Sequence, residues 1–453
     1  MNNKFKTLIG TTAVAGALAL SLAACGSKIE VSQSTTAQTT AAAETTSSGI
    51  VTLDSVTTAA ESQAQESTSS GQQTAQSTEA VTATANVTST GAIDATDLFS
   101  SRDLEQTADL SEAQYITVSD GQTVEITGAG VYVISGTASN AQIIVNADKD
   151  NDKVQLVLDG LNVTNDSTPV IYVKSADKVF ITTAEGSENN LSVTGSFTSD
   201  GDTNTDAVIF SKDDLVLNGL GTLNITSTDN GISGHDDLKI TGGTINITCT
   251  SDAIEANDSI RISGGDITIN TRKDGLHAEN DDDYTLGYIY ICGGTLDITA
   301  SDDAIHATTI FQMDDGELTL SAAEGIEATY VQINGGTIYI SASDDGINAG
   351  RKSNAYTVQI EINGGYITIV MGQGDTDGID SNGNLYINGG TVDVTANSPF
   401  DYDGTAQYNG GTIIVNGEET NTITNQMMGG GGMGGFGGGG MGGFGGFGGG
   451  GRR

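Results

Sequence analysis

Six short segments repeat one arrangement of oxygen donors: an acid, a small residue, Ile or Leu, then a second polar residue. They are Asp252-Ala-Ile-Glu255, Asp274-Gly-Leu-His277, Asp303-Ala-Ile-His306, Glu324-Gly-Ile-Glu327, Asp345-Gly-Ile-Asn348 and Asp377-Gly-Ile-Asp380. A further acid precedes the motif at Asp302 and Asp344, and Asp375 adds a third carboxylate to the last turn. If successive segments stack, their carboxylates face one another, and at about 5 Å each like-charged pair costs roughly 1–3 kcal/mol at an effective dielectric near 20. A hard cation removes that cost, and calcium takes six to eight oxygens flexibly. For any single Asp, an ordinary solvent-facing turn is the competing explanation. For the column as a whole, calcium is the expected cofactor, with Asp252, Glu255, Asp274, Asp302, Asp303, Asp344, Asp345, Asp375, Asp377 and Asp380 as candidate ligands. A separate stretch, Asp200-Gly-Asp202-Thr-Asn204-Thr-Asp206, has the alternate-oxygen spacing of a calcium loop. It lacks the Gly and Glu of an EF-hand, so only Asp200 and Asp202 are added as candidates.

What stacks these turns is a repeat. Gly-Gly recurs at Gly242, Gly264, Gly293, Gly335, Gly364, Gly389 and Gly410, with weaker copies at Leu220-Gly221 and Asp315-Gly316. A unit of about 21–22 residues with occasional insertions is the mark of a solenoid. Apolar residues keep fixed offsets from the second glycine: Ile240, Ile262 and Ile291 three before, Ile245, Ile267 and Leu296 two after, Ile247, Ile269 and Ile298 four after. The two-residue period and β-branched enrichment predict strands whose apolar side faces one interior. Each unit reads strand, Gly-Gly corner, strand, acidic turn, strand. Parallel pairing between units predicts an all-β, right-handed parallel β-helix of about ten to twelve coils. The alternative, a leucine-rich horseshoe, lacks its Leu and Asn consensus. The residue before the Gly pair is Asn at Asn334, Asn363, Asn388 and Asn409, which predicts a structural hydrogen-bond ladder. Cys249 and Cys292 fall in different columns and are expected to stay unbridged.

Four residues before the second glycine lie Lys239, Arg261, Tyr290, Gln312, Gln332, Glu361, Tyr386 and Gln407. By alternation this strip points outward, and its mixture of amide, cation and aromatic suits a linear sugar polymer. Lys239, Arg261, Tyr290, Gln312, Gln332 and Tyr386 are therefore candidate carbohydrate contacts, with Tyr288, Tyr339 and Tyr366 nearby. An unremarkable exposed strand face would look the same.

The ends of the chain differ from its middle. Lys4 and Lys6, an apolar run from Leu8 to Leu22, and Leu22-Ala-Ala-Cys25-Gly form a secretory signal with a lipobox-like cleavage site. This predicts a signal peptide over 1–24 and a lipid on Cys25 that anchors the protein outside the cytoplasmic membrane. Residues 25–96 are Ser, Thr, Ala and Gln with little to bury, and read as a disordered stalk. Residues 97–425 are the expected β-helix, and 426–453 a Gly/Met/Phe-rich tail. With 17 Lys+Arg against 58 Asp+Glu and a net charge of -41, the chain is a poor partner for nucleic acid or an anionic lipid surface. A monomer is expected.

Four segments carry a family resemblance: Gly130-Val-Tyr-Val-Ile-Ser-Gly136, Val170-Ile-Tyr-Val-Lys-Ser-Ala-Asp-Lys-Val179, Ala207-Val-Ile-Phe-Ser-Lys-Asp-Asp-Leu215 and Gly234-His-Asp-Asp-Leu-Lys-Ile240. They resemble bacterial carbohydrate-binding-domain lipoproteins with a polysaccharide-lyase-like fold. The resemblance covers roughly 110–416 and implies a right-handed β-helix, bound calcium, and binding of plant-type polysaccharides, acidic ones included. His235 departs from it, standing where Lys is expected. The alternatives are a calcium-dependent lyase and an adhesin or cell-wall structural protein. Lyase chemistry needs a basic residue to take the C5 proton, and Arg272-Lys273 beside Asp274 is the candidate; His277 and His306 read as core or surface histidines. The expectation is a surface lipoprotein that binds polysaccharide without cleaving it.

Overall fold

Strands are what this alternation of Ile, Val, Leu and Thr favours, and the computed structural model is all-β, with no helix among the described residues 50–53, 92–374 and 376–425. Strands one repeat apart pair in parallel. Leu215–Gly219, Asp237–Ile240 and Ser259–Ile262 belong to one ladder that precedes the glycine corner. Thr222–Ser227, Thr244–Thr248 and Asp266–Asn270 form the ladder after it. Asn230–Gly234, Ile254–Ala256 and Leu276–Ala278 form the third, which carries the acidic turns.

The apolar columns meet in register: Ile240 with Ile262 and Ile291, Ile245 with Ile267 and Leu296, Ile247 with Ile269 and Ile298. All are at most 2 % exposed. Each buried Ile contributes roughly 1.5–3 kcal/mol, so one unit adds its own share of core and continues that of its neighbour. The corners need glycine for two reasons. Gly336 has φ 84°, and a Cβ on Gly335 would lie 2.3 Å from the Asp314 carbonyl of the preceding unit. The asparagine ladder runs as expected, Asn363 donating to Asn334 at 2.8 Å, Asn388 to Asn363 at 2.7 Å and Asn409 to Asn388 at 2.7 Å. Cys249 and Cys292 are buried and not joined by a disulfide.

Two features depart from the expected boundaries. Ile50–Leu53, inside the stretch read as stalk, is a strand paired in parallel with Thr123–Ile126; adding a strand satisfies backbone groups at the first edge of the third ladder. Residues 92–96, also read as stalk, are continuous in placement with 97–106. They lie against the outward side of the pre-corner ladder, crossing several repeats. At the other end, Asn416 (φ 52°) and Gly417 (φ 84°) turn Thr412–Val415 back onto Glu418–Thr420, an antiparallel hairpin with the left-handed residues such a turn requires. Cys25 and the signal segment, most of the stalk, Asp375 and the glycine-rich tail lie outside the described residues.

Candidate functional site

The acidic turns do come together. In the third ladder Glu255, His277, His306, Glu327, Asn348, Asp380 and Asp401 are successive register partners. The leading acids act first as links between units: the backbone N–H of Asp274 donates to Asp252 Oδ1 at 3.0 Å, and that of Asp303 to Asp274 Oδ1 at 3.0 Å. Their other oxygens meet cations that the chain itself supplies. Lys273 Nζ is 2.6 Å from Asp252 Oδ2, and His277 Nδ1 is 2.8 Å from Asp274 Oδ2. His306 Nδ1 sits 2.9 Å from Asp303 Oδ2 and 3.0 Å from Glu327 Oε2, whose Oε1 takes Lys352 Nζ at 2.6 Å. The two imidazoles stack with centroids 4.8 Å apart.

Burial alone would strip the proton from His277, but the carboxylates of Asp252 and Asp274 facing its Nδ1 win and raise it to about 10. His306 is raised to about 9 against the same burial penalty by Asp303 and Glu327. Burial likewise opposes Glu327's ionisation, yet His306 and Lys352 pull it down to about 2. Half of the column is thus neutralised internally. The two histidines belong to the same repeat column as Glu255 and Glu327, and that shared column is the signal by which His277 and His306 can be recognised as more than core or surface histidines.

Further along, compensation ends. Glu324 is raised to about 8 by burial and then by Glu327, Asp303 and Asp345, with only an Asn348 hydrogen bond opposing. Burial followed by neighbouring carboxylates raises Asp345 to about 6 and Asp380 to about 7. Among the described residues, three groups place their donor atoms within 4.8 Å of one another: Asp252, Asp274 and His277; Asp274, Asp303 and His306; Asp303, Glu324 and Glu327. These clusters could hold a metal ion, and the third offers oxygen alone. Asp302 and Asp344 are exposed beside the column rather than in it. Glu255 is tied to Asn230 at 2.9 Å. Asp200 and Asp202 are not gathered into a metal-sized group: Asp200 pairs with Lys174 at 2.8 Å and accepts from Tyr172 at 3.2 Å, because a lysine on the neighbouring strand reaches it first.

The outward strip is one register ladder from Lys239 through Arg261, Tyr290, Gln312 and Gln332 to Glu361, Tyr386 and Gln407. It is not open surface over most of that length. Lys239, Tyr290, Gln312 and Gln332 are buried beneath residues 92–106. Ala92 N donates to Gln332 Oε1 at 2.9 Å and Ile93 N to Gln312 Oε1 at 2.7 Å. Phe99 packs on Tyr290, Asp103 Oδ2 pairs with Lys239 at 3.1 Å, and Gln106 Nε2 donates to the Thr241 carbonyl at 3.0 Å. The amides chosen as sugar contacts hold the chain's own backbone instead. Arg261 is engaged by Asp237 at 2.7 Å and lies over the Tyr288 ring; Tyr386 is half-buried. Tyr339 and Tyr366 are around the corner, on the post-corner ladder, 42 % and 50 % exposed.

That ladder is the exposed one. Its outward residues are mostly Thr, Asn, Ser, Asp and Tyr in rows, as in Thr244, Asn246 and Thr248 beside Asp266, Thr268 and Asn270. At its first units Asn190, Asn224 and Asn246 form a second amide ladder, with bonds of 2.9 and 2.8 Å. A shallow depression of about 290 Å³ lies there, lined by Thr137, Asn162, Asn190, Asn224 and Thr226 among others.

A protein-family model described as "Carbohydrate-binding domain-containing protein" matches residues 120–378, more than half of the chain. A protein of Acetivibrio thermocellus with the same description is 46% identical over 209 residues, which span 46% of this chain and 72% of that relative. A solved structure titled as the polysaccharide lyase-like protein from C. thermocellum, a gadolinium derivative, shares 33% identity over 50% of this chain and 96% of its own, with a TM-score of 0.44. The matched residues contain most of the repeats, the acid column and the open ladder, and the chain belongs to the carbohydrate-binding domain-containing family.

Proposed function

We propose that this chain binds polysaccharide without cleaving it, on a right-handed parallel β-helix stabilised by calcium. In this reading lipid on Cys25 anchors the protein outside the cytoplasmic membrane, residues 25–96 carry it outward, and plant cell-wall polymers are the partner. Parallel pairing between successive repeats supports the solenoid. The observation that carries the binding reading is the exposed band of hydroxyl, amide and tyrosine side chains running from unit to unit along the post-corner ladder. Such a band offers hydrogen bonds at about 4.8 Å intervals to an extended ligand.

The absence of cleavage rests on the protonation of the column. Lys273 and Lys352 are held in ion pairs, and His277 and His306 stay protonated near neutral pH, so none of the four is a free base. Calcium fits Asp303, Glu324 and Glu327, whose donors are all hard oxygens. When bound, it supplies positive charge that bridges carboxylates of adjacent units, and acidic polymers reach a chain of this charge through such bridges. The test is retention of the full chain on insoluble cellulose and on polygalacturonate, with calcium and then with chelator, while ultraviolet absorbance follows unsaturated product. Retention without product supports the reading. Product formation makes the protein a lyase and turns attention to Arg272, which is exposed beside the column.

A further inference from the structure

Exposed large apolar side chains are few among the described residues, and two of them are neighbours. Tyr339 is in register with Thr368, and Tyr366 with Thr337, so the two rings occupy diagonal positions on adjacent strands of the post-corner ladder. One unit of about 4.8 Å and two residues along the strand separate them by about 8 Å. Both lie on the outward side, flanked by the hydroxyls of Thr337 and Thr368 and, one strand on, by Thr391 and Asp393. Elsewhere in the ladder most outward positions are short and polar, with Glu188, Glu317, Val370 and Ile414 as exceptions. An aromatic pair set in a field of hydroxyls offers flat apolar faces with hydrogen-bonding groups at their edges, which is what a pyranose ring presents in return.

Charge selects among glycans. The outward positions of this ladder hold Asp266, Asp297, Glu317 and Asp393, and no Lys, Arg or His from Thr222 to Thr412. A polyuronate laid here meets only like charge, and none of the three acid groups with metal-sized spacing lies on this face. We propose that Tyr339 and Tyr366 form a stacking platform for an uncharged polysaccharide, distinct from the acid column. The inference rests on the polysaccharide-binding reading and names the face and the class of sugar.

The experiment is retention of the full chain on insoluble cellulose and on polygalacturonate in chelator, comparing wild type, the double substitution Y339A/Y366A, the double substitution Y339F/Y366F, and Y115A. Tyr115 is as exposed as Tyr366 but stands in the early strand Gln114–Thr117 and serves as the control. Loss of two aromatic contacts is expected to weaken cellulose retention by roughly tenfold to a hundredfold in Y339A/Y366A, with Y339F/Y366F and Y115A near wild type and thermal unfolding unchanged. Equal retention of wild type and Y339A/Y366A on cellulose overturns the platform while leaving polysaccharide binding intact. Retention on polygalacturonate in chelator that depends on the two tyrosines overturns the uncharged class. If wild type binds neither polymer with or without calcium, the binding reading fails and the platform falls with it.

Discussion

The strands on either side of the glycine corner share one backbone plan, yet one outer face is covered and the other is open. Before the corner the outward residues are long: Lys239, Tyr290, Gln312 and Gln332 reach out to residues 92–106 and are buried by them. After the corner they are mostly Thr, Asn and Asp, too short to hold a second layer, and the face stays exposed. The difference teaches that strand alternation separates the inside of a stack from its outside and nothing more. Side-chain reach then decides whether the outside is covered or solvated.

The covered face is the easier one to break. Asp103 is fully buried and pairs with Lys239 at 3.1 Å and Lys178 at 3.5 Å. Substituting it with Ala leaves Lys239 without its partner, and a loss of about 3–5 kcal/mol is expected by denaturant unfolding; limited proteolysis at Arg102 should accelerate as the segment lifts. A D103A variant as stable and as resistant as wild type would mean that the segment only rests on the strip.

Acid should act oppositely on the covered face and on the acid column. Burial would raise Asp103, but the Ser100 N–H, Lys239 and Lys178 hold it below its ordinary 3.8. Its contribution is therefore present above that value and lost as pH falls below it. Asp345 and Asp380 are raised, to about 6 and about 7. The folded chain holds their protons more tightly than the unfolded chain, so the contribution of these two groups falls as pH rises from about 4 to about 7 and is flat beyond. After allowing for the solvent that reaches them, the loss is roughly 2 kcal/mol. Urea midpoints measured from pH 3 to 8 should pass through a maximum near the lower end; a curve that climbs steadily to pH 7 would contradict the assignment.

Calcium sharpens the contrast further. If it binds at Asp303, Glu324 and Glu327, His306 and Lys352 compete with it. The substitution H306Q should then lower stability in chelator and enlarge the thermal shift produced by calcium, whereas an unchanged shift would place the ion elsewhere. The smallest effect belongs to the open face, where T268A is expected to change stability by less than about 0.5 kcal/mol.

Much of this was readable from residue types at fixed offsets. The glycine corners, the Ile columns and the ladder Asn334–Asn363–Asn388–Asn409 are repetition made physical, since each residue meets its own kind one unit later. The acid column was readable for the same reason. What sequence reasoning misassigned there was the counter-charge: His277 and His306 occupy acid-column positions, and stacking turns them from isolated histidines into partners of Asp274, Asp303 and Glu327. Residues 92–106 were illegible because they do not repeat. Their contacts pair Gln106 with Thr241 and Ala92 with Gln332, separations that no local pattern marks.

The closing hairpin has a consequence for assembly. A parallel stack ends in unpaired backbone that another stack can continue, and a molecule built this way has the makings of a filament. Here the last strand of the open ladder, Thr412–Val415, is met from the far side by Glu418–Thr420 running the other way, with exposed Glu418 and Glu419 on the final edge. A second copy arriving end-on at this ladder would face a reversed strand and two carboxylates instead of a matching rung.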